Sequence, residues 1–256
     1  MMSKAPKFLD IELNTSCNLS CKMCPYLEVH THPQYMDIRI YEKIIEQIDW
    51  ECSLKLCQRG EPLLAPFLLL AIQMAKRKGL RVVMNTNGIL LDKFASALVV
   101  SGIDIIWLSD YNILRQRKNV EQFDYINKFH GSPVKLIIKT DNVEKWKGVG
   151  AQFITPFYYD YSDTSKDFTP LPNWKCSQLF DRLIIEPNGK VRCCCGYIHP
   201  EKYVGNINTQ SILDIWNDIH AEYCRIHDAG QSHILDMCVS CAARKEEVKK
   251  RNELSL

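Results

Sequence analysis

The sequence predicts an α/β fold in which parallel βα units form an open or partial barrel. Apolar runs of strand length alternate with segments of helical periodicity through the first 160 residues, which is the order that a parallel sheet requires. Two of the helical segments end at a glycine, Gly79 and Gly102, as helices commonly do. With 256 residues, of which 46% are hydrophobic, the chain is long enough to bury the core of such a fold.

The predicted elements follow one another regularly along this first part. Strands are expected at 8–13, 53–57, 81–84, 103–108, 134–139 and 152–158, and helices at 41–48, 67–78, 91–100 and 120–129. In barrels of parallel strands, ligands bind at the carboxyl ends of the strands. The loops after the strands are therefore where functional residues are expected.

The alternation of strands and helices stops near residue 161. Between 161 and 173 the composition changes to Ser, Asp, Thr and Pro, which indicates a boundary. We therefore expect two domains, 1–160 and 161–256. The second contains two short strands around Pro187-Asn188-Gly189, a hairpin signal. Ser211 is expected to cap a helix, and a last helix is expected from about Val239.

The twelve cysteines indicate metal binding. The first residues contain no apolar segment of signal-peptide length, and no run is long enough to span a bilayer. We therefore expect a cytoplasmic protein without a membrane partner, in a reducing compartment where cysteines bind metal rather than form disulfides. The net charge of +2 and the lack of a long basic run argue against a nucleic-acid partner.

The first cysteine group follows the first predicted strand. Cys17, Cys21 and Cys24 have C-x3-C-x2-C spacing. Three thiolates on one loop can bind three irons of a 4Fe-4S cluster and leave the fourth iron open to a small molecule. The same spacing also permits a zinc site in which His30 or His32 supplies the fourth ligand.

Together with the C-x3-C-x2-C spacing, three further segments form a pattern that resembles the radical S-adenosylmethionine (SAM) superfamily. They are Gly60-Glu61-Pro62 after the second predicted strand, Asn85-Thr86-Asn87-Gly88 at the end of the third, and Ser109-Asp110 at the end of the fourth. The resemblance implies a partial (β/α)6 barrel whose cluster binds and reductively cleaves SAM. It also implies that the backbone at Gly60 and Glu61 receives the methionyl amino group, that Asn85 belongs to the cofactor-binding turn, and that Ser109 and Asp110 lie at the ribose.

The sequence departs from this family pattern at two positions. Arg59 stands where the family usually has a glycine, so the loop is expected to differ in shape or to serve the substrate. Met23 occupies a position that is commonly aromatic and packs near the adenine. Methionine is adaptable enough to pack there, and Tyr26, nearby in the sequence, can substitute for the aromatic residue, so Met23 and Tyr26 are both expected cofactor contacts.

A second cysteine group lies in the C-terminal segment. A C-x12-G-x4-C pattern runs from Cys176 to Cys194, and Cys238 and Cys241 form a later C-x2-C pair. Four thiolates suit either zinc or a 4Fe-4S cluster. The spacing selects Cys194, whose neighbours on a strand, Cys193 and Cys195, point to the opposite face. Buried, unreactive thiols are expected at Cys52, Cys57 and Cys224.

The second group resembles the auxiliary-cluster region of SPASM and twitch radical SAM proteins. The resemblance implies a small twitch domain, a β-hairpin plus helix, that holds one auxiliary 4Fe-4S cluster on its four cysteines. It implies an oxidoreductase that acts on a polyol, aminocyclitol or sugar-like small molecule. Because the chemistry needs an electron donor, flavodoxin or ferredoxin is the expected reductant. The short segment before the first strand disfavours a peptide substrate, but modification of a ribosomal peptide stays open. A non-catalytic zinc or electron-transfer protein is the more distant alternative.

Overall fold

The computed structural model describes residues 4–21, 24, 32–156, 165–194 and 203–254. Parallel strands β1 to β6 are Phe8–Ile11, Ser53–Lys55, Arg81–Thr86, Ile105–Ser109, Lys135–Lys139 and Gln152–Ile154. Each pairs in parallel with the next in the sequence, which confirms the predicted βα units. The end of the strand predicted at 152–158 extends beyond the described residues.

Helices connect these strands. They are α1 (Ile38–Glu46), α2 (Leu68–Arg77), α3 (Leu91–Ser101) and α4 (Leu114–Phe129). The predicted termination of a helix at Gly102 is confirmed, since this residue has φ +82° at the end of α3, a conformation that glycine adopts without strain. Helix α4 begins six residues before the predicted start, because its first turns are polar and show little apolar periodicity.

Side chains alternate between the two faces of the sheet. Along β3, Val82, Met84 and Thr86 are buried. Arg81, Val83 and Asn85 lie on the opposite, concave face, where they line a cavity together with residues of neighbouring strands. The helices therefore cover one face, and the concave face is left for ligands.

The C-terminal segment extends the same sheet beyond β1. After the short helix α5 (Ser177–Asp181), strand β7 (Arg182–Ile185) pairs in parallel with β1. Strands β8 (Lys190–Arg192) and β9 (Gly205–Asn206) continue antiparallel, which confirms the predicted hairpin. The strand order is β6-β5-β4-β3-β2-β1-β7-β8-β9. The predicted domain boundary at 160/161 lies outside the described residues and stays a prediction.

In the described part of the chain, the hairpin is followed by α6 (Ile212–Asn217), α7 (Ile219–Asp228), α8 (Asp236–Val239) and α9 (Ala242–Leu254). Ser211 caps α6 by accepting the N–H of Asp214 at 3.1 Å, as predicted. The last helix, predicted from about Val239, is present and begins at Ala242, because a turn at Ser240 separates it from α8. Within the described ranges, no helix has the length and apolar character needed to cross a membrane.

Candidate active site and metal centres

The three-cysteine loop leaves β1 and contacts the loop after β2. Cys17, Cys21 and Cys24 are partly exposed, and the N–H of Cys24 donates to the carbonyl of Cys21 at 2.9 Å. Burial, and to a smaller extent the charge of the neighbouring thiols, raises the pKa of Cys17 and of Cys21. The three thiols therefore lie close enough to influence one another's ionisation, as ligands of one cluster would.

Gly60 marks the closest approach between these two loops. A Cβ at this position would lie 2.4 Å from the carbonyl oxygen of Asn14 and 2.8 Å from that of Ser16, so a larger residue would push the loops apart. The N–H of Glu61 donates to the Ser16 carbonyl at 2.7 Å, and Asn14 Nδ2 donates to the Glu61 carbonyl at 3.1 Å. The predicted SAM-binding segment is thus fixed against the backbone that leads into Cys17.

The Glu61 carboxylate joins two of the predicted motifs. It is buried and accepts hydrogen bonds from Thr86 Oγ1 at 2.7 Å, the Asn87 N–H at 2.8 Å and the Leu63 N–H at 3.2 Å. Asn87 Nδ2 also donates to Asn18 Oδ1 in the cysteine loop, at 2.7 Å. Burial raises the pKa of Glu61 to about 7, although these hydrogen bonds favour its ionised form. The Glu61 side chain therefore connects the loop after β2 to the end of β3, while the Glu61 backbone is hydrogen-bonded to Asn14 and Ser16.

Asp110 organises the end of β4. Its carboxylate accepts hydrogen bonds from Thr140 Oγ1 at 2.8 Å and Trp146 Nε1 at 2.9 Å, and it forms an ion pair with Lys145 at 2.5 Å. Burial disfavours ionisation of Asp110, but the hydrogen bonds, that of Lys145 first, outweigh it and keep the pKa below its usual value. Ser109 and Asp110 lie at the expected strand end, and their contact with the SAM ribose stays a prediction.

Of the other predicted SAM contacts, Asn85 lies within the described residues and two do not. Asn85 lies on β3 and lines the cavity of the concave face. Met23 and Tyr26 lie outside the described residues, as does His30. His32, the other candidate for a fourth zinc ligand, is exposed.

Arg59 forms buried ion pairs with two glutamates, one in the loop after β1 and one in the loop after β7. Its Nε lies 3.0 and 2.9 Å from the two carboxylate oxygens of Glu12, and its Nη2 lies 3.2 Å from Glu186 Oε1. Glu186 also pairs with Arg192 at 2.8 Å. The unusual arginine therefore connects the predicted SAM-binding loop to the C-terminal hairpin.

The four predicted auxiliary ligands come together in the structure. Cys176 precedes α5, Cys194 follows β8, Cys238 lies on α8 and Cys241 precedes α9. Burial raises the pKa of Cys176 and of Cys238, and in both cases the charges of the other thiols in this group add to the effect. Cys193 instead lies in the core, and Cys195 lies outside the described residues.

The donor chemistry of both groups fits 4Fe-4S clusters. Backbone N–H groups donate to the sulfurs of Cys17, Cys176 and Cys241, and such hydrogen bonds stabilise thiolates. Among the described residues, no three Cys, His, Asp or Glu side chains converge as ligands of a single metal ion. Seven thiols in two sets therefore suit clusters of several irons.

The concave face of the sheet encloses a cavity of about 530 Å³, which we call the lumen cavity. Its polar lining was not predicted as a site. Part of the signal is visible in the sequence, because Lys55 stands between Leu54 and Leu56 in an otherwise buried strand. The lining includes Lys55, Arg81, Asn85, Trp107, Lys139 and Arg182.

Comparison with known families agrees with this arrangement. Residues 11–109 match the radical SAM superfamily. Residues 176–242 match SPASM, an iron-sulfur cluster-binding domain, and this match begins at Cys176 and ends directly after Cys241. The chain thus resembles radical SAM proteins in one part and SPASM proteins in another, and it is an enzyme that uses SAM and 4Fe-4S clusters.

Curated relatives match this chain over different lengths. The S-adenosyl-L-methionine-dependent 2-deoxy-scyllo-inosamine dehydrogenase of Niallia circulans is 25% identical over 94% of both chains. The tungsten-containing aldehyde ferredoxin oxidoreductase cofactor-modifying protein of Pyrococcus furiosus is 28% identical over 47% of this chain and 35% of its own. The GTP 3′,8-cyclase of Chlorobaculum tepidum is 33% identical over 40% and 32%, respectively. The chain thus spans about a third of the last two proteins.

Solved structures confirm the predicted fold. BtrN in complex with AdoMet and 2-DOIA has a TM-score of 0.73 and 24% identity, over 94% of both chains. Streptococcus suis SuiB bound to the precursor peptide SuiA has a TM-score of 0.65 and 14% identity, over 95% of this chain and 71% of its own. The α/β radical SAM fold with a C-terminal SPASM domain is therefore established for this chain.

Proposed function

We propose that this radical SAM enzyme oxidises a hydroxyl-bearing small molecule, a polyol, an aminocyclitol or a sugar-like compound, by two electrons. The observation that carries the proposal is the similarity to the dehydrogenase of Niallia circulans, because it covers 94% of both chains and thus both cysteine groups of this one. Oxidation of a carbinol removes two electrons: one would leave with the hydrogen atom taken by the 5′-deoxyadenosyl radical, and an auxiliary cluster would accept the other. The proposed reductant is flavodoxin or ferredoxin, and the proposed location is the cytoplasm.

The proposed ligands follow the two cysteine groups. The SAM-binding cluster is assigned to Cys17, Cys21 and Cys24, and the auxiliary cluster to Cys176, Cys194, Cys238 and Cys241. Contacts with SAM are assigned to Met23, Tyr26, Gly60, Glu61, Asn85, Ser109 and Asp110. When bound, these cofactors supply reductive cleavage of SAM, a radical that removes a substrate hydrogen atom, and an acceptor for the second electron.

The residues of the chain itself position the reactants. The concave face surrounds the substrate and keeps water away from the reactive carbon. The hydrogen bonds of Glu61 to Thr86 and Asn87 hold the loops around the cofactor in one arrangement, so less order has to be imposed when it binds. Oxidation would remove one hydrogen atom, one hydroxyl proton and one electron from the substrate, and a cluster held by Cys176, Cys194, Cys238 and Cys241 would supply the acceptor for that electron.

Anaerobic analysis of two cysteine variants tests the proposal. The wild type should contain about eight irons per chain and should cleave SAM after reduction. Cys21→Ala should abolish SAM cleavage, whereas Cys238→Ala should keep SAM cleavage but lose substrate oxidation. Cys52→Ala, which removes a buried thiol outside both groups, is the matched control and should retain both activities.

Three outcomes would contradict the proposal. Zinc as the main metal, with no SAM cleavage, would favour a non-catalytic protein. SAM cleavage by the Cys21 variant would remove that residue from the cluster. Formation of 5′-deoxyadenosine that is stimulated only by a peptide would favour peptide modification over small-molecule oxidation.

A further inference from the structure

The lumen cavity has an excess of positive charge. Lys55, Arg81, Lys139 and Arg182 line it, and among the described residues no carboxylate lines it. Asp10 lies beside these cations and pairs with Arg182 at 3.0 Å and with Lys55 at 3.8 Å. Against the four cations of the described lining Asp10 supplies one carboxylate, so this described part of the cavity is electropositive.

The neighbouring acidic groups of the concave face do not correct this imbalance. Glu12 forms its ion pair with Arg59, and Glu186 pairs with both Arg59 and Arg192. These four side chains form a charge-balanced group of two carboxylates and two guanidinium groups. Glu12 and Glu186 therefore do not balance the positive charge of the lumen cavity.

Lys139 is the cation that most clearly lacks a counterion. It ends β5 and is half-buried, with its Nζ 5.1 Å from the centre of the Trp107 ring. Within the described ranges no carboxylate forms an ion pair with it. Burial lowers the pKa of Lys139, and the charge of Lys55 lowers it further. Two lysines that face one cavity are costly to keep charged unless an anion binds between them.

We propose that the lumen cavity binds an oxyanion group of the substrate, a carboxylate or a phosphate, through Lys55, Lys139 and Arg182. A volume of about 530 Å³ is in the range of small-molecule sites. Asn85 and Trp107 line the same cavity and offer an amide and an aromatic face to the uncharged part of the molecule. Asn85 directly precedes Thr86, which bonds Glu61, so the end of the cavity at Asn85 adjoins the proposed SAM-binding loops, whereas Arg81 and Arg182, each the first residue of its strand, line the other end.

This inference rests on the proposed function and narrows its substrate class. Acidic or phosphorylated polyols and sugars fit the charge of the lumen cavity. An aminocyclitol does not, because its ammonium group would meet the lysines. The substrate class is therefore expected to differ from the amine named for the Niallia circulans dehydrogenase.

The test measures binding of four probes that share one carbon skeleton to the reconstituted wild-type enzyme with SAM present. The probes are glucose, glucosamine, glucuronate and glucose 6-phosphate, and calorimetry reports their affinities. At least one of the two anions should bind tighter than the neutral and cationic sugars. Lys139→Met should weaken this binding about ten- to a hundredfold, the loss expected for a hydrogen bond to a charged group. Lys139→Arg should retain most of it, and Lys93→Met, on an exposed helix face, should leave it unchanged.

The outcomes separate this inference from the proposed function and from a contact with SAM itself. Equal binding of all four probes, or no binding of any, would overturn the inference, as would unchanged anion affinity in Lys139→Met. If Lys139→Met weakens SAM binding as strongly as anion binding, the cation serves the methionyl carboxylate and the inference is also wrong. Failure of the reduced wild-type enzyme to cleave SAM would instead overturn the proposed function.

Discussion

The Arg59 side chain is bound at two points to the carboxylate of Glu12. Arg59 Nε lies 3.0 and 2.9 Å from the two Glu12 oxygens, and Nη2 completes the pair. The Arg59 N–H also donates to Glu12 Oε1 at 2.7 Å. Both side chains are almost fully shielded from solvent. Glu12 directly follows β1, so the pair fixes the loop after β2 to the strand that leads into the cysteine loop.

Replacing Arg59 with the glycine usual in the family should destabilise the protein. Arg59→Gly would leave the buried Glu12 carboxylate without its counterion, which typically costs about 3–5 kcal/mol. Denaturant unfolding under anaerobic conditions would measure the loss. Adding Glu12→Gln to Arg59→Gly should restore part of it, because the uncompensated charge is then absent. A loss below about 1 kcal/mol in Arg59→Gly would contradict the structural role of this pair.

Glu61 should make the stability of the protein depend on pH. Its pKa is about 7 in the folded state, against an ordinary value of 4.5, so the folded protein binds this proton more tightly than the unfolded chain. The resulting stabilisation is complete below about pH 4.5 and is lost as the pH rises through 7. Thermal unfolding from about pH 5 to about pH 8 should therefore show a steeper decline in the wild type than in Glu61→Gln, which cannot titrate.

The informative quantity is how steeply the stability of each protein falls with pH, not the stability itself. The glutamine amide would face the N–H donors of Asn87 and Leu63 and should lower stability at every pH. Parallel profiles for the wild type and Glu61→Gln would show that the Glu61 pKa is close to its ordinary value in the folded protein.

Asp110 and Lys145 should be coupled in a double-mutant cycle. The ion pair spans 2.5 Å, and both side chains are largely shielded from solvent. Asp110→Asn and Lys145→Met should each destabilise the protein, and the double variant should lose less than the sum of both, with an interaction energy of about 0.5–3 kcal/mol. Denaturant unfolding of the four proteins would provide this number. Additive losses would mean that the pair does not hold the residues after β5 in place.

The parts of the candidate site that could be predicted are those marked by short sequence motifs. Cys17 and Gly60 lie on loops that follow strands and Thr86 ends β3, and the predicted strands together with the family motifs place them there. The contacts between these loops were not predictable, because Glu61 and Asn87 are 26 residues apart and meet only when neighbouring strands pair. Sequence motifs thus identified the parts, and tertiary pairing determined how they bind one another.

The lumen cavity was missed for a related reason. Lys55, Lys139 and Arg182 lie on three different strands, and of the three only Lys55 stands between two apolar neighbours. Their charges converge because the parallel β7 adds to the sheet beside β1, with Leu9 opposite Leu183. No local pattern predicts a pairing between residues so far apart in the sequence.

His227 lies against one of the proposed auxiliary-cluster ligands. Its Nε2 is 3.3 Å from the sulfur of Cys238, and the rings of Trp174 and Phe180 pack around it at 5.4 and 6.3 Å. Burial lowers the pKa of His227 to about 4, so the ring is neutral and carries one N–H. Among the described residues Nδ1 has no hydrogen-bond partner. We infer from this that the proton is on Nε2 and is donated to the sulfur.

A hydrogen bond to a ligating thiolate should raise the reduction potential of the auxiliary cluster. His227→Phe keeps an aromatic ring but removes the donor, and it should lower the potential by about 40 mV if the bond contributes about 1 kcal/mol. His227→Gln retains an N–H donor and should shift it less. The potential can be measured by spectroscopic redox titration in a Cys21→Ala background, where the auxiliary cluster is expected to be the remaining centre. An unchanged potential in His227→Phe, at full iron content for that cluster, would show that His227 only fills space beside Cys238.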